Sequence, residues 1–110
     1  MKRLKIPGVN NGLDVLAEEI MRVEAISNYS RVYFSNGSVV VVAKVLHWFE
    51  DVLPPEMFTR VHRSHLVNRM FVDKMIDNGA NQLLLMNGAM IAISRRKMAK
   101  TLDEVCNLSD

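Results

Sequence analysis

The sequence predicts a mainly β fold built from short antiparallel strands. Short runs in which apolar and polar residues alternate recur along the chain, as in strands with one buried face. The Asn-Gly pairs at 36–37 and 87–88 each separate two such runs, which is typical of β-hairpins. Apolar residues at helical spacing occur only near 44–52 and near 95–106, so two short helices are expected.

The first two predicted strands form a hairpin at the start of the chain. Residues 4–6 and 13–16 are short apolar runs. Between them lie Pro7-Gly8 and Asn10-Asn11-Gly12, whose residues favour tight turns.

The next predicted strands follow one another closely. Residues 21–26 and 31–35 alternate in polarity on either side of a polar break at 28–30. The β-branched run 39–42 pairs with the preceding strand across Asn36-Gly37, for which we predict a two-residue type I′ turn.

The first predicted helix covers residues 44–52, and Pro54-Pro55 ends it. Its apolar stripe consists of Val42, Val45, Leu46, Phe49, Val52 and Leu53.

The second half of the chain returns to strands. We predict strands at 58–61 and 71–77 and a second Asn-Gly hairpin that joins 82–86 to 89–93. A helix near 95–106 follows, with Ser94 at its N-cap.

Composition sets limits on the class of protein. The 110 residues are 49% hydrophobic and 24% charged, which predicts one globular domain over residues 1–110. A single cysteine and the absence of a secretory signal pattern predict a cytoplasmic protein without disulfides. The longest strongly apolar runs have four residues, far fewer than the ~20 that cross a bilayer, so no membrane insertion is expected.

The net charge of +2 hides an uneven distribution along the chain. Residues 60–100 carry eight Lys or Arg and two Asp, whereas the last ten residues carry three acidic groups and no basic one. Such asymmetry is typical of a protein with one face turned to a polyanion, although a solvated basic surface has the same composition.

Catalytic, metal and cofactor sites find little support. His62 and His65 have an odd spacing that places them on opposite faces of an extended segment, so no metal is predicted. Cys106 is interpreted as a small buried hydrophobe and not as a nucleophile. The five glycines occur in turns, and the acidic pairs lie beside apolar stripes on solvated faces. We therefore predict no enzyme, no catalytic residue and no cofactor.

Large apolar residues are interpreted mainly as core. Trp48 lies in the first helical stripe, where it packs internally or against a partner. The methionines at positions 70, 75, 86 and 90 are expected to fill gaps in the core.

Three polar clusters interrupt the strands. They are residues 28–31, 60–65 and 94–97. Arg can donate two hydrogen bonds to guanine and Asn can pair with adenine, while Ser, His and Lys can hold phosphates. The clusters therefore predict nucleic-acid binding through loops.

These segments resemble a known family. Residues 23–33, the Arg60-Val61-His62-Arg63-Ser64-His65-Leu66-Val67-Asn68 block, Asn87-Gly88 and Ile93-Ser94-Arg95-Arg96 are similar to the LytTR DNA-binding domain. That domain is the output module of many bacterial response regulators, and the similarity extends over about residues 5–102.

The resemblance implies both the fold and the roles of individual residues. It implies an elongated sandwich of about ten short strands in three antiparallel sheets, whose loops enter successive major grooves. Carried over by position, the base-reading residues are Ser30, Arg63 and Arg96. The residues that contact the DNA backbone are Asn28, Tyr29, Arg31, His62, Ser64, Arg95 and Lys97. Leu66 and Val67 are assigned to packing and Asn68 to a structural hydrogen bond.

The expected partner is double-stranded DNA, bound by a transcription regulator that we expect to act as two copies at repeated half-sites. A receiver domain does not fit within 110 residues, so control by abundance, by self-association or by a separate inhibitory protein is considered instead. The alternative is a protein-interaction module of the same fold that modulates a related regulator, which the acidic C-terminal residues favour.

Overall fold

The fold is described by a computed structural model that covers residues 3–7, 12–76, 79 and 81–106. As predicted, the described chain is mainly β, with ten strands in three antiparallel sheets and two helices. The strands are β1 (Arg3–Ile6), β2 (Leu13–Leu16), β3 (Ile20–Ile26), β4 (Tyr29–Phe34), β5 (Val39–Val42), β6 (Phe58–His62), β7 (His65–Asn68), β8 (Val72–Ile76), β9 (Gln82–Leu85) and β10 (Met90–Ala92). The helices are α1 (Leu46–Val52) and α2 (Met98–Cys106).

A five-stranded sheet with the order β5-β4-β3-β7-β6 forms the centre of the molecule. The pair β1-β2 forms a second sheet, and β10-β9-β8 forms a third. The predicted turn of the first hairpin, at residues 8–11, lies outside the described residues. The molecule measures 43 × 30 × 23 Å, which matches the elongated shape that the resemblance implies.

Two hydrophobic cores lie on opposite faces of the central sheet. On one face, Val23, Val32 and Leu66 pack with Ile6 of β1 and Phe49 of α1. The second core joins Val61 and Val67 to strands β9 and β10 and to α2. Because neighbouring residues of a strand point to opposite faces, β7 contributes Leu66 to the first core and Val67 to the second.

Both Asn-Gly hairpins are confirmed, but their turns are not the predicted two-residue type. In the first, Gly37 N donates to Phe34 O at 3.0 Å and Phe34 N donates to Ser38 O at 2.9 Å. Gly88, Leu85 and Ala89 repeat this pattern at 2.9 Å for each bond. Gly37 and Gly88 have φ values of 94° and 92°, whereas neither Asn has a positive φ, so each turn is a three-residue loop closed by a left-handed glycine.

Both helices begin later than predicted. The Lys44 carbonyl accepts a hydrogen bond from the Ser30 hydroxyl, and the backbone of Val45 is extended. Helix α1 therefore begins at Leu46. At the other end of the chain, Arg95–Lys97 forms a 3-10 turn before α2 begins at Met98. The side chain of Cys106 lies outside the described residues, so its predicted burial is not tested.

Asn68 has the structural role that the resemblance implies. Its side chain is fully buried, donates to Ile20 O at 2.9 Å and accepts from Met70 N at 3.0 Å. These bonds connect the end of β7 to the start of β3. Leu66 and Val67 are also buried, as expected for packing residues.

The expectation that the methionines fill the core is wrong for three of the four. Met70, Met86 and Met90 are 56%, 66% and 43% exposed. Leu84 pairs with Met90 on the face of β9 opposite the buried Leu83 and Leu85, so the outer face of this sheet carries apolar side chains beside Lys74 and Gln82. No helix in the described part of the chain is long and apolar enough to span a bilayer.

Candidate nucleic-acid interface

The three predicted polar clusters lie next to one another along one edge of the molecule. The β3–β4 turn adjoins the β6–β7 turn, where Ala25 N donates to Ser64 O at 2.9 Å. The β6 strand adjoins the segment that precedes α2, where Ser94 N donates to Val61 O at 2.9 Å. We call residues 27–31, 62–65 and 94–97 together the loop edge.

The β6–β7 turn presents Arg63 at the centre of the loop edge. His62 and His65 pair across the hairpin, which leaves Arg63 and Ser64 as the two turn residues. Arg63 is exposed, whereas Ser64 is half-buried. Ser64 N donates to His62 Nδ1 at 3.1 Å, so the neutral ring carries its proton on Nε2, where it is available to a phosphate oxygen.

Arg63 and Arg96 line the same open cleft, with a volume of about 480 Å³. The cleft lies between the β6–β7 turn and the segment 94–97. Its lining residues are Glu50, Arg60, His62, Arg63, Ser94, Arg96 and Lys97. Four of these seven carry a positive charge, and Glu50 alone is acidic, so the cleft suits an anionic ligand.

The segment 94–97 is a short 3-10 turn held between β6 and α2. Ser94 occupies the predicted N-cap position, but its hydroxyl makes no capping hydrogen bond and lines the cleft instead. Arg95 and Arg96 are exposed and Lys97 is half-buried. The turn closes with a hydrogen bond from Lys97 N to Ser94 O at 3.0 Å.

The C-terminal helix is fastened to the central sheet through Glu104. This carboxylate accepts a hydrogen bond from the Thr59 hydroxyl and lies 3.3 Å from Arg69 Nη1. Lys100 forms a longer pair with it at 3.8 Å on the helix surface. Since α2 follows directly on the segment 94–97, this contact also fixes the position of the arginines.

The β3–β4 turn exposes Asn28 and Tyr29 but not Ser30. Tyr29 is 51% exposed and Asn28 is also exposed. Ser30 is fully buried, and its hydroxyl donates to Lys44 O at 2.7 Å. Because β4 begins at Tyr29, Ser30 lies on the inward face of that strand with Val32. The expectation that Ser30 reads bases therefore does not fit its position.

Arg31 lies further along β4, and its side chain donates hydrogen bonds to two neighbouring side chains. Its Nη1 lies 3.1 Å from both Glu24 Oε1 and the Tyr33 hydroxyl. The hydrogen bond that Arg31 donates to the Tyr33 hydroxyl and the charge of nearby Glu24 raise the pKa of Arg31. Arg31 thus remains charged next to the loop edge, and its side chain is 41% exposed.

The prediction that His62 and His65 lie on opposite faces of an extended segment is wrong. A hairpin joins them, so the rings of His62 and His65 lie side by side with centroids 5.3 Å apart. Burial lowers the pKa of His65. The charge of Glu24 raises this pKa, whereas nearby His62 and Arg22 lower it further. In the described residues, no three His, Cys, Asp or Glu side chains lie where they could hold a metal ion together.

Comparison with known protein families identifies the family to which this chain belongs. The LytTr DNA-binding domain family matches residues 13–105, which is most of the chain. The chain belongs to the LytTR family. The matched range includes all three parts of the loop edge.

A solved structure supports the fold of this LytTR chain. It is described as the LytTr DNA-binding domain of a putative methyl-accepting/DNA response regulator from Bacillus cereus. The two chains superpose with a TM-score of 0.79 at 20% sequence identity, and the match covers 96% of this chain and 97% of the other. At this identity the likeness concerns the fold. A search of the curated proteins found no match.

Sequence reasoning gave Arg60 no role of its own within the 60–65 cluster, and it assigned Glu50 to a solvated helix face. Arg60 Nη1 lies 2.8 Å from Glu50 Oε1, and the Arg60 side chain also bonds to the β6–β7 turn. Alternation along β6 places Arg60 and His62 on one face and could have indicated that both approach the turn. No local pattern connects Glu50 to them, because α1 and β6 meet only in the folded chain.

Proposed function

We propose that this LytTR protein is a sequence-specific, double-stranded DNA-binding transcription regulator. One observation carries the proposal: Arg63 and Arg96 are both exposed and line one basic cleft, although they are 33 positions apart in the sequence. An exposed Arg on a loop can reach a base edge in the major groove and donate two hydrogen bonds to guanine.

Arg63 and Arg96 are the proposed base-reading residues. Their neighbours fix the register on the phosphates, since contacts to the DNA backbone position a protein without reading sequence. The proposed backbone contacts are Asn28, Tyr29, Arg31, His62, Ser64, Arg95 and Lys97. Ser30 has a structural part in this proposal, because its buried hydroxyl holds the chain before α1 in place.

The size of the molecule favours binding by two copies. The longest dimension of 43 Å exceeds one turn of B-DNA, about 34 Å, so one copy is long enough to meet two successive major grooves. A single small module buries only ~600–1,000 Å² on DNA, and a second copy at a repeated half-site would double that area. We propose that residues 1–110 form one domain with this activity. The protein would act in the bacterial cytoplasm and would need no cofactor.

Selection of bound duplexes from a random DNA pool tests the proposal. The purified protein should enrich a motif of two spaced repeats. Arg63→Ala and Arg96→Ala should each relax the motif at defined base positions. Failure of the folded wild-type protein to enrich any motif would contradict sequence-specific regulation.

A second function, binding to a protein partner, is favoured by one observation. Met90, on the outer face of the third sheet, and Met86, in the turn after β9, are both exposed, and exposed methionines adapt readily to a partner. Heparin or DNA-cellulose retention at low salt separates the two functions, because a pure protein-interaction module would flow through.

A further inference from the structure

The Arg60 side chain joins three elements beneath the loop edge. We propose that Arg60, held by Glu50, is a positioning residue that fixes the β6–β7 turn and thereby sets the sequence preference carried by Arg63. This inference rests on the proposed function, since it concerns the same DNA-binding cleft.

Arg60 points back toward the turn that follows its own strand. Its Nε donates to His62 O at 2.9 Å, and its Nη2 donates to the Arg63 carbonyl. These two acceptors are the main-chain carbonyls immediately before and after the Arg63 Cα atom. The guanidinium therefore constrains the backbone from which the Arg63 side chain extends.

The third contact of Arg60 links the turn to α1. Its Nη1 donates to Glu50 Oε1 at 2.8 Å, and only 19% of the Arg60 side chain is exposed. Helix α1 is itself anchored in the first core through Leu46 and Phe49. Glu50 thus transmits the position of a packed helix to a loop that has few apolar contacts of its own.

Lysine cannot replace arginine in this geometry. The planar guanidinium offers several donors in a fixed fork, whereas an ammonium group is a point charge on a flexible stem. Arg60→Lys therefore retains the charge next to the DNA but loses the simultaneous bonds to two carbonyls and a carboxylate.

The charge of Glu50 makes the inference testable by the sign of an effect. A carboxylate in a basic cleft repels phosphates, so a purely electrostatic role predicts that Glu50→Gln strengthens DNA binding. A positioning role predicts the reverse for the specific site, because the neutral amide holds Arg60 less firmly.

The experiment compares the affinity for the selected duplex with the affinity for unrelated duplexes at one salt concentration. Arg60→Lys and Glu50→Gln should each lower this ratio by about tenfold, the scale of one lost bidentate base contact. The slope of affinity against salt should stay unchanged in Arg60→Lys. Asp51→Asn and Arg3→Lys are the matched controls, since Asp51 pairs with His47, Arg3 pairs with Asp14 and neither lines the cleft, so both should leave the ratio within about twofold.

Amide exchange supplies a readout that does not involve DNA. The Ser64 amide bonds to His62 Nδ1 and the Ala25 amide bonds to Ser64 O, so both report on the order of the turn. Arg60→Lys should speed their exchange at least severalfold without changing the melting temperature.

The outcomes distinguish this inference from the proposed function. A wild-type protein without any sequence preference contradicts the proposed function, and unchanged exchange of Ser64 and Ala25 in Arg60→Lys then also rejects the positioning role. A preference that survives Arg60→Lys and rises in Glu50→Gln overturns the inference and leaves the proposed function intact.

Discussion

Arg63 and Lys97 lie on neighbouring loops of one cleft, yet their side chains are suited to different parts of DNA. Arg63 is exposed at the tip of a two-residue turn, where its guanidinium can reach a base edge. Lys97 is half-buried at the end of a 3-10 turn and offers a point charge. Substitution of Arg63 should therefore change how the DNA affinity depends on base sequence, whereas substitution of Lys97 should change how it depends on salt.

For Arg63→Ala we expect a loss of about 1–3 kcal/mol on the selected duplex and relaxed discrimination at one base position. Binding titrations against duplexes that vary at each position measure this effect. Equal weakening on every sequence would contradict base reading by Arg63.

For Lys97→Ala we expect weaker binding to all duplexes by a similar factor. The slope of log affinity against log salt concentration should become less steep by about one unit, because one phosphate contact is lost. An unchanged slope in a salt titration would show that Lys97 does not contact a phosphate.

His65 gives the stability of the fold a pH dependence. Burial lowers its pKa in the folded protein below the ordinary value of 6.5, so the unfolded chain takes up the proton at higher pH. The free energy of unfolding should therefore fall as the pH decreases below about 6.5 and level off below the folded pKa. Urea unfolding at several pH values measures this, and His65→Gln should flatten the dependence; identical profiles would refute it.

At the residue scale, sequence reasoning identified the three segments that the fold brings together in the loop edge. The motif around Arg63 and the run around Arg96 are local, so their exposure on loops could be read from the alternation of strands and breaks. Ser30 was misjudged because the predicted break began one residue late: the turn is formed by Ser27 and Asn28, and Ser27 adopts a φ of 57°. Which residue of a polar cluster enters the strand depends on the pairing register.

The C-terminal helix depends on one of the two ion pairs that Glu104 makes. Arg69 is only 13% exposed and also donates to Pro55 O at 3.3 Å, whereas Lys100 is 59% exposed. Arg69→Ala should lower the free energy of unfolding by about 1–3 kcal/mol, because Glu104 keeps its hydrogen bond from Thr59 but loses the less exposed of its two cationic partners. Lys100→Ala, the matched control, should change it by less than about 0.5 kcal/mol. Equal effects in urea unfolding would contradict this anchoring.

At the scale of elements, the hairpins followed from the sequence and their details did not. An Asn-Gly pair between two apolar runs identifies a hairpin, but the same pair fits both a two-residue and a three-residue loop. Here each Asn accepts its own turn's backbone N–H, from Ser38 at 2.8 Å in the first and from Ala89 at 3.0 Å in the second. The helix at 44–52 was shortened by a tertiary bond from Ser30 to Lys44, which local spacing does not reveal.

At the scale of the whole molecule, the order of strands could not be read from periodicity. Strand β7 inserts beside β3, so that the β6–β7 turn lies next to the β3–β4 turn. This long-range pairing creates the loop edge from segments that are separate in the sequence. The resemblance implied three antiparallel sheets with DNA-binding loops, but the pairing of β3 with β7 was not predicted, because propensity alone does not specify which strands meet.

The central claim is that the loop edge is the surface that binds DNA. Amide shifts recorded while a duplex of about 20 base pairs is added at about 50 mM salt test it most directly, since even non-specific binding is strong at low salt. If DNA binds at the loop edge, the largest amide shift changes will fall on residues 27–31, 62–65 and 94–97. Changes concentrated on the outer face of the third sheet, around Met86 and Met90, with an unperturbed loop edge would contradict it.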